Sequence, residues 1–371
     1  MKNKVIITCN RNSLHLAVYE LEKYDLTFSF VEKFNDEVAL ITTELSNSEF
    51  LDLIRKKPII FIKHLFFIDC ISVPKNLITD LNNTLKKMFD VEESFNVQIR
   101  GDKSDATPDL LNTIINNLLE SGYTQSQENP QIIVSIFVYK GMIYWGVGAG
   151  NQNLSCWNGG SPHYSYSNKY DFISRAEFKL IEAIDCFGIN LDEIKTGADL
   201  GASPGGWTKV LISNGIRCDC IDPSYLNESI SKSELINYYH MKVEDFLKLE
   251  NDTHYDIVVN DMKMDVKKSV NIINDFYGKI ADNGIVIMTF KLPHDFDYKY
   301  ILEGFRLFNG YSVIGARQLS FNRSEITVVL RKDLPQFIRK NNNKKKKTYS
   351  KKLQRKINRK KEGKNFEKTN F

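Results

Sequence analysis

Cysteine is sparse in this 371-residue sequence, and the six that occur (Cys9, Cys70, Cys156, Cys186, Cys218 and Cys220) form no C-x-x-C pair and no zinc-type spacing with histidine. This argues against a disulfide framework and a structural zinc site, and it points to reduced thiols in a cytoplasmic protein. Long apolar runs are missing as well. The longest, Pro58–Cys70, is shorter than a bilayer span and is broken by Lys63 and His64. Met1–Cys9 carries two lysines, but its apolar stretch has only a strand's length, so no secretory signal is expected. The expectation is no membrane and no metal. Acids are scarce at one end: residues 335–371 hold 15 Lys+Arg and 2 Asp+Glu, leaving 35 basic against 44 acidic side chains in the rest. The basic tail is also poor in apolar residues and cannot fold alone. Its dense cations would neutralise phosphates, as in a nucleic-acid-binding arm.

What is present is globular: 42% hydrophobic and 26% charged residues, in a chain long enough for two or three domains. Residues 1–90 alternate strands (Val5–Cys9, Leu26–Val31, Glu37–Thr43) with helices (Ser13–Glu22, Ser48–Arg55, Asn76–Phe89). Residues 91–150 read as strand Phe95–Arg100, helix Pro108–Ser121 and strands Gln131–Val138 and Met142–Val147, the last two joined by a tight turn. Residues 151–170, rich in Gly, Asn and Ser, form a linker or ordered loop. Residues 171–334 switch to a βαβ pattern with strands Thr196–Leu200, Ile216–Ile221, Tyr255–Asn260, Gly284–Phe290, Tyr311–Ala316 and Ile326–Arg331. That pattern predicts a doubly wound, mostly parallel α/β sheet, with its last two strands as an antiparallel hairpin at one edge.

Ala198-Asp-Leu-Gly-Ala-Ser-Pro-Gly-Gly-Trp207 follows an apolar strand and opens a helix, the place where open α/β sheets bind ligands. Gly201, Gly205 and Gly206 let backbone approach a ligand, with Ser203, Pro204 and Trp207 completing the loop. The order Gly201-Ala-Ser-Pro-Gly205-Gly206 lacks the second glycine of the dinucleotide fingerprint. Asp199 would repel a diphosphate but suits the ammonium end of a methionine-type ligand. Asp222, ending the next strand, suits ribose hydroxyls, or it merely forms a turn before Pro223. Asp245 could reach an adenine amino group or cap a helix.

Four more residues stand near the ends of elements. Ser174-Arg-Ala-Glu177 reads as a capping box, with Ser174 bonding the Glu177 amide and Glu177 reaching back, ahead of a helix that Gly188 stops. Lys179 sits beside that helix's apolar stripe and, alone, reads as a snorkelling surface lysine. Asp261 ends an apolar strand, Lys291 ends another, and Glu325 opens the last. Together they place two ammonium groups and two carboxylates on one rim. Methylating an alcohol calls for such a set: the hydroxyl must lose its proton, and a neutral lysine can take it. Lys291 is the expected general base, with Lys179 lowering its pKa and Asp261 and Glu325 holding the lysines in line.

Ser174-Arg-Ala-x-x-Lys179-Leu, Asp199-Leu-Gly-Ala-x-Pro-Gly-Gly-Trp-Thr208, Asn260-Asp261-Met, Phe290-Lys291-Leu-Pro and Arg323-x-Glu325 resemble the FtsJ-type RNA ribose 2′-O-methyltransferases. The sequence is similar in particular to the RlmM-type branch, which modifies a cytidine of 23S ribosomal RNA. The resemblance covers residues 170–332. It implies a Rossmann-like domain with a seven-stranded sheet, S-adenosyl-L-methionine as cofactor, RNA as substrate, and a Lys–Asp–Lys–Glu tetrad at 179, 261, 291 and 325. For residues 1–150 it implies a ferredoxin-like segment followed by a THUMP-like RNA-binding region, while the basic tail departs from the branch. Two other functions fit parts of the sequence: a catalytically silent RNA-binding or ribosome-assembly protein, and a nicotinamide-dependent oxidoreductase.

Overall fold

The computed structural model describes residues 2–333 apart from 24–27, 57–58, 102–106, 128, 151–152, 156, 158–159, 161–171 and 251. The basic tail and most of the 151–170 stretch thus lie outside the described residues.

Three sheets follow one another along the chain. The first unit holds β1 (Asn3–Cys9), α1 (Leu14–Lys23), β2 (Phe28–Lys33), β3 (Val38–Thr43), α2 (Asn47–Lys56) and β4 (Ile62–Phe67), in an antiparallel sheet of order β2-β3-β1-β4. β4 falls inside the run Pro58–Cys70, where no alternation marks a strand because Ile62, Lys63, His64 and Leu65 are all buried. The second unit holds β5 (Cys70–Ser72), α3 (Pro74–Met88), β6 (Ser94–Gly101), α4 (Pro108–Glu120), β7 (Thr124–Gln125), β8 (Ile132–Tyr139) and β9 (Met142–Ala149), in the order β5-β9-β8-β6-β7. Leu77, Leu81 and Leu85, one face of α3, share a core with Phe95, Ile132 and Trp145. The helix expected to close the first domain therefore belongs to the second. Lys140 and Gly141, both at positive φ, make the tight turn between β8 and β9.

The third unit comprises α5 (Ala176–Phe187), β10 (Thr196–Leu200), α6 (Gly206–Ser213), β11 (Arg217–Ile221), α7 (Glu228–Ser231), β12 (Ile236–Tyr239), α8 (Val243–Phe246), β13 (Tyr255–Asn260), α9 (Val266–Asp275), β14 (Ile280–Lys291), α10 (Tyr298–Leu307), β15 (Tyr311–Arg317) and β16 (Glu325–Lys332). Its seven-stranded sheet runs β12-β11-β10-β13-β14-β16-β15, parallel from β12 to β14 and antiparallel at β16. The final two strands pair antiparallel, as their closeness in sequence predicts, but β16 slots in beside β14 and leaves β15 at the edge. Ile257, Val259 and Ile287 join Leu180, Ala183 and Leu211 of α5 and α6. The intervening Val258, Val286 and Met288 join Val270, Ile273 and Ile301 of α9 and α10. Alternate strand residues thus bury against opposite helix layers, which makes the sheet doubly wound.

The first unit docks on the third. The Gln318 amide donates to the Ile60 carbonyl at 2.7 Å, and Ser13 Oγ donates to Gln318 Oε1 at 2.7 Å. The fully buried Glu20 accepts the amides of Ile60 (2.8 Å) and Phe61 (3.0 Å) and the Tyr298 hydroxyl (2.8 Å). Burial outweighs these donors and pushes its carboxyl up to about 7. Among the described residues, no helix is long and apolar enough to cross a membrane.

Candidate active site

The Gly-rich loop leaves β10 at Leu200 and enters α6 at Gly206. Gly201 has φ +78°, and a Cβ there would lie 2.2 Å from Met262 Cγ. At Gly206 a Cβ would lie 2.2 Å from Ser174 Oγ. These glycines let the loop pack against the residue after Asp261 and against the first turn of α5. That turn is built much as its sequence implies. Glu177 Oε1 accepts the amides of Ser174 (3.0 Å) and Ile173 (2.6 Å). The other half of the capping box differs: Ser174 Oγ accepts the Ala176 amide at 3.3 Å, while the Glu177 amide bonds to the Ser174 carbonyl. Arg175, not Ser174, is the N-cap residue, so the helix starts one residue later. Gly188 ends α5 in the left-handed region, the expected stop. The buried Trp207 indole donates to the Ala176 carbonyl at 2.7 Å, locking α6 to α5 and so fixing where Lys179 stands.

The structure brings Lys179, Asp261, Lys291 and Glu325 into a closed ring in which cations and anions alternate. Lys179 Nζ lies 2.9 Å from Asp261 Oδ2 and 2.7 Å from Glu325 Oε1. Lys291 Nζ lies 2.5 Å from Asp261 Oδ1 and also pairs with Glu325 Oε2. Each carboxylate turns one oxygen to each lysine. Lys291 and Glu325 face one another as register partners on β14 and β16. Burial works against the charge on Lys179, yet the carboxylates of Asp261 and Glu325 prevail and hold its pKa above the ordinary lysine value. Burial likewise opposes the Asp261 carboxylate, but Lys291 and Lys179 hold it below the usual range. Instead of one ammonium pressing on another, each ammonium faces two carboxylates.

Three residues that support the ring escaped the sequence reading. Thr289 Oγ1 donates to Asp261 Oδ1 at 2.7 Å. Asn322 Nδ2 donates to Glu325 Oε1 at 3.4 Å, while its Oδ1 accepts the Leu319 amide and the Thr327 hydroxyl. Glu182, buried on α5, accepts the amides of Ser320 (2.8 Å) and Phe321 (3.2 Å) and so anchors the segment leading to Glu325. An acid between Ile181 and Ala183, inside the apolar part of α5, was the available signal for Glu182.

Among the cofactor candidates, Asp222 ends β11 facing the loop. Its oxygens accept the amides of Ser203 (3.1 Å) and Ser224 (2.6 Å), leaving lone pairs for a ligand. Ser203 Oγ donates to the Tyr225 carbonyl at 2.9 Å. Asp199 is buried beneath the loop and accepts the Thr208 hydroxyl at 2.7 Å. Burial raises its carboxyl to about 7. Asp245 stands exposed in α8, paired with Lys248 at 2.7 Å, and the N-cap of that helix is Lys242. Pro204 and Gly205 complete the loop, with Gly205 as the N-cap of α6. Among the described residues, no group of His, Cys, Asp and Glu could hold a metal ion.

The sheet order and the loop at its switch point define a Rossmann-like α/β domain. Residues 172–290 match the model of the FtsJ-like methyltransferase family. Ribosomal RNA large subunit methyltransferase M of Haemophilus ducreyi is 30% identical over 233 residues, covering 57% of this chain and 62% of that protein. Its Pseudomonas fluorescens counterpart is 27% identical over 228 residues, covering 58% and 62%. Ribosomal RNA large subunit methyltransferase E of a Brugia malayi Wolbachia is 34% identical over 96 residues, covering 26% and 44%. The chain thus spans about three fifths of the length of the methyltransferase M relatives it matches.

Proposed function

We propose that the protein is an S-adenosylmethionine-dependent methyltransferase acting on a ribose 2′-hydroxyl of RNA, with large-subunit ribosomal RNA as the substrate. The observation that carries this reading is the alternating ring at the carboxyl ends of β13 and β14, beside the loop of residues 201–206. The loop fits the cofactor better than it fits a dinucleotide. Ser174 closes the start of α6, where a diphosphate would need free amides, and the Glu177 Cγ crowds the same spot. Asp222 is placed for ribose hydroxyls, while Asp199 and Asp245 remain candidates for the methionine and adenine ends.

When bound, S-adenosylmethionine supplies an electrophilic methyl group and leaves as a neutral thioether. The ribose oxygen forms the new O–CH3 bond, and the electrons of the S–CH3 bond stay on sulfur. Lys291, after releasing its own ammonium proton to solvent, takes the hydroxyl proton on Nζ. Asp261 and Glu325 are placed to receive the ammonium so formed. Lys179, its pKa held up, stays charged and stabilises the oxygen as it turns into an alkoxide. Thr289 and Asn322 keep the carboxylates aimed.

Tritium transfer from methyl-labelled cofactor to RNA of cells lacking the gene tests the reading, with the label mapped to a ribose 2′-oxygen. Loss of transfer in Lys291→Ala with cofactor binding intact is the expected result. Equal transfer by Lys291→Ala, or label on a base, overturns it; no transfer by the wild type leaves a silent RNA-binding protein.

A further inference from the structure

A cleft of about 660 Å³ runs between the first two units and the third, and its lining includes Leu292 and Ser324, the chain neighbours of Lys291 and Glu325. Its catalytic wall is Leu292–His294, Ser320 and Asn322–Ser324, flanking Lys291 and Glu325 in sequence. Its other wall carries Arg11 and Lys63 of the first unit and Arg100 of β6 in the second, and Arg323 joins them from the catalytic side. Among the described residues, Glu37, paired with Arg100, is the one acid of the lining. A concentration of cations is notable on a body in which acids outnumber bases by 44 to 35 across the first 334 residues. Arg11 and Arg323 are exposed, and no ion pair among the described residues engages either guanidinium. Ser13, Ile60 and Gln318 tie the two walls together, so their spacing is built into the fold.

Resting on the proposed function, we propose that a single strand of the substrate RNA lies in this cleft, with Arg11, Arg100 and Arg323 on its phosphates. The first two units then form half of the substrate site. Clefts of this volume enclose a molecule of drug size, which matches a nucleotide or two and leaves no room for a duplex. Guanidinium groups pair with phosphate oxygens in a two-pronged fashion, and cations so placed hold a strand's register without reading its sequence. A strand running along Leu292–His294 passes beside Lys291, so a ribose hydroxyl is presented to the ring with its base free to splay out.

The test uses the full chain, a fluorescein-labelled mixed-sequence RNA oligonucleotide as a single strand or annealed to its complement, and the double variant Arg11→Ala/Arg323→Ala. Lys86→Ala/Lys87→Ala, on exposed residues of α3 outside the cleft, controls for total charge. For the single strand, the slope of log K against log salt should become shallower by about 1.4 in the arginine variant, roughly 0.7 for each phosphate no longer neutralised. Affinity should fall about tenfold at moderate salt, and KM for RNA in tritium transfer should rise in step. The lysine variant should keep the wild-type slope, and cofactor affinity should be the same in all three proteins. Wild-type transfer combined with an unchanged slope and KM in the arginine variant defeats the cleft alone. So does a slope reduced only in the lysine variant, or a preference for the duplex. Absence of transfer to any RNA by the wild type brings down the cleft together with the function it serves.

Discussion

Asp261→Asn is the most informative single change, because both lysines and Thr289 share this carboxylate. With Asp the four ring charges cancel; with Asn the ring carries a surplus positive charge. The new amide nitrogen must also face an ammonium, since Lys179 lies 2.9 Å from one oxygen and Lys291 lies 2.5 Å from the other. A hydrogen bond to a charged group contributes roughly 1.5–3 kcal/mol, and at least one disappears outright. Water reaches the ring, where the Asp261 side chain is 19% exposed, and moderates the rest. We expect about 2–3 kcal/mol less stability in urea unfolding near neutral pH, in line with the loss of one partner from a half-buried pair. Methyl transfer should fall by about 10²–10³-fold, as expected when a proton acceptor loses both its alignment and its counter-charge. The pH dependence has a fixed sign. The folded pKa of Asp261 lies below its ordinary 3.8, so its stabilising effect is complete above that value and fades as pH falls through the folded one. The stability difference between wild type and Asp261→Asn should therefore close in acid. A variant with near-wild-type turnover, or a difference that widens in acid, refutes this account of the ring.

Glu20, raised from 4.5 to about 7 in the fold, gives a contribution that is full below pH 4.5 and lost as pH rises through about 7. That contribution amounts to ~3 kcal/mol, and Glu20→Gln should flatten the corresponding slope in thermal melts across this range. Glu182→Ala leaves the half-buried amides of Ser320 and Phe321 without this acceptor and should cost ~1–3 kcal/mol in urea titrations, with turnover falling as the Glu325 segment loosens. Gly201→Ala puts a side chain at φ +78° and 2.2 Å from Met262 Cγ, and should lose ~1–2 kcal/mol from the backbone alone. Gly141→Ala, at φ +74° with nothing within 4 Å, should show only the backbone cost. Calorimetry should therefore find weakened S-adenosylmethionine binding in the first and normal binding in the second.

The seven-stranded sheet was legible because apolar strands buried on both faces alternate with helices, and because Gly201–Gly206 marks the switch point. The four ring residues were legible because charges at the ends of such strands are conspicuous. Three features were hidden for physical reasons. β4 has no period-two pattern because Lys63 and His64 are buried along with their apolar neighbours. The assignment of α3 to the second unit depends on which sheet receives Leu77, Leu81 and Leu85, and local sequence does not encode that. The electrostatic state of the ring depends on carboxylates that reach it from different strands, so the expected pressure of one ammonium on another gave way to shared anions.

Because Lys291 and Glu325 are partners across β14 and β16, a slip of one residue in that pairing would turn one of them to the opposite side of the sheet. The ring is thus complete only in the native register of β14 and β16. During synthesis, positions 179, 261 and 291 all emerge ahead of the strand that supplies the last corner. A chain halted short of residue 325 would leave two ammonium groups competing for one carboxylate. Closure of the ring therefore waits on the final hairpin pairing in the correct alignment.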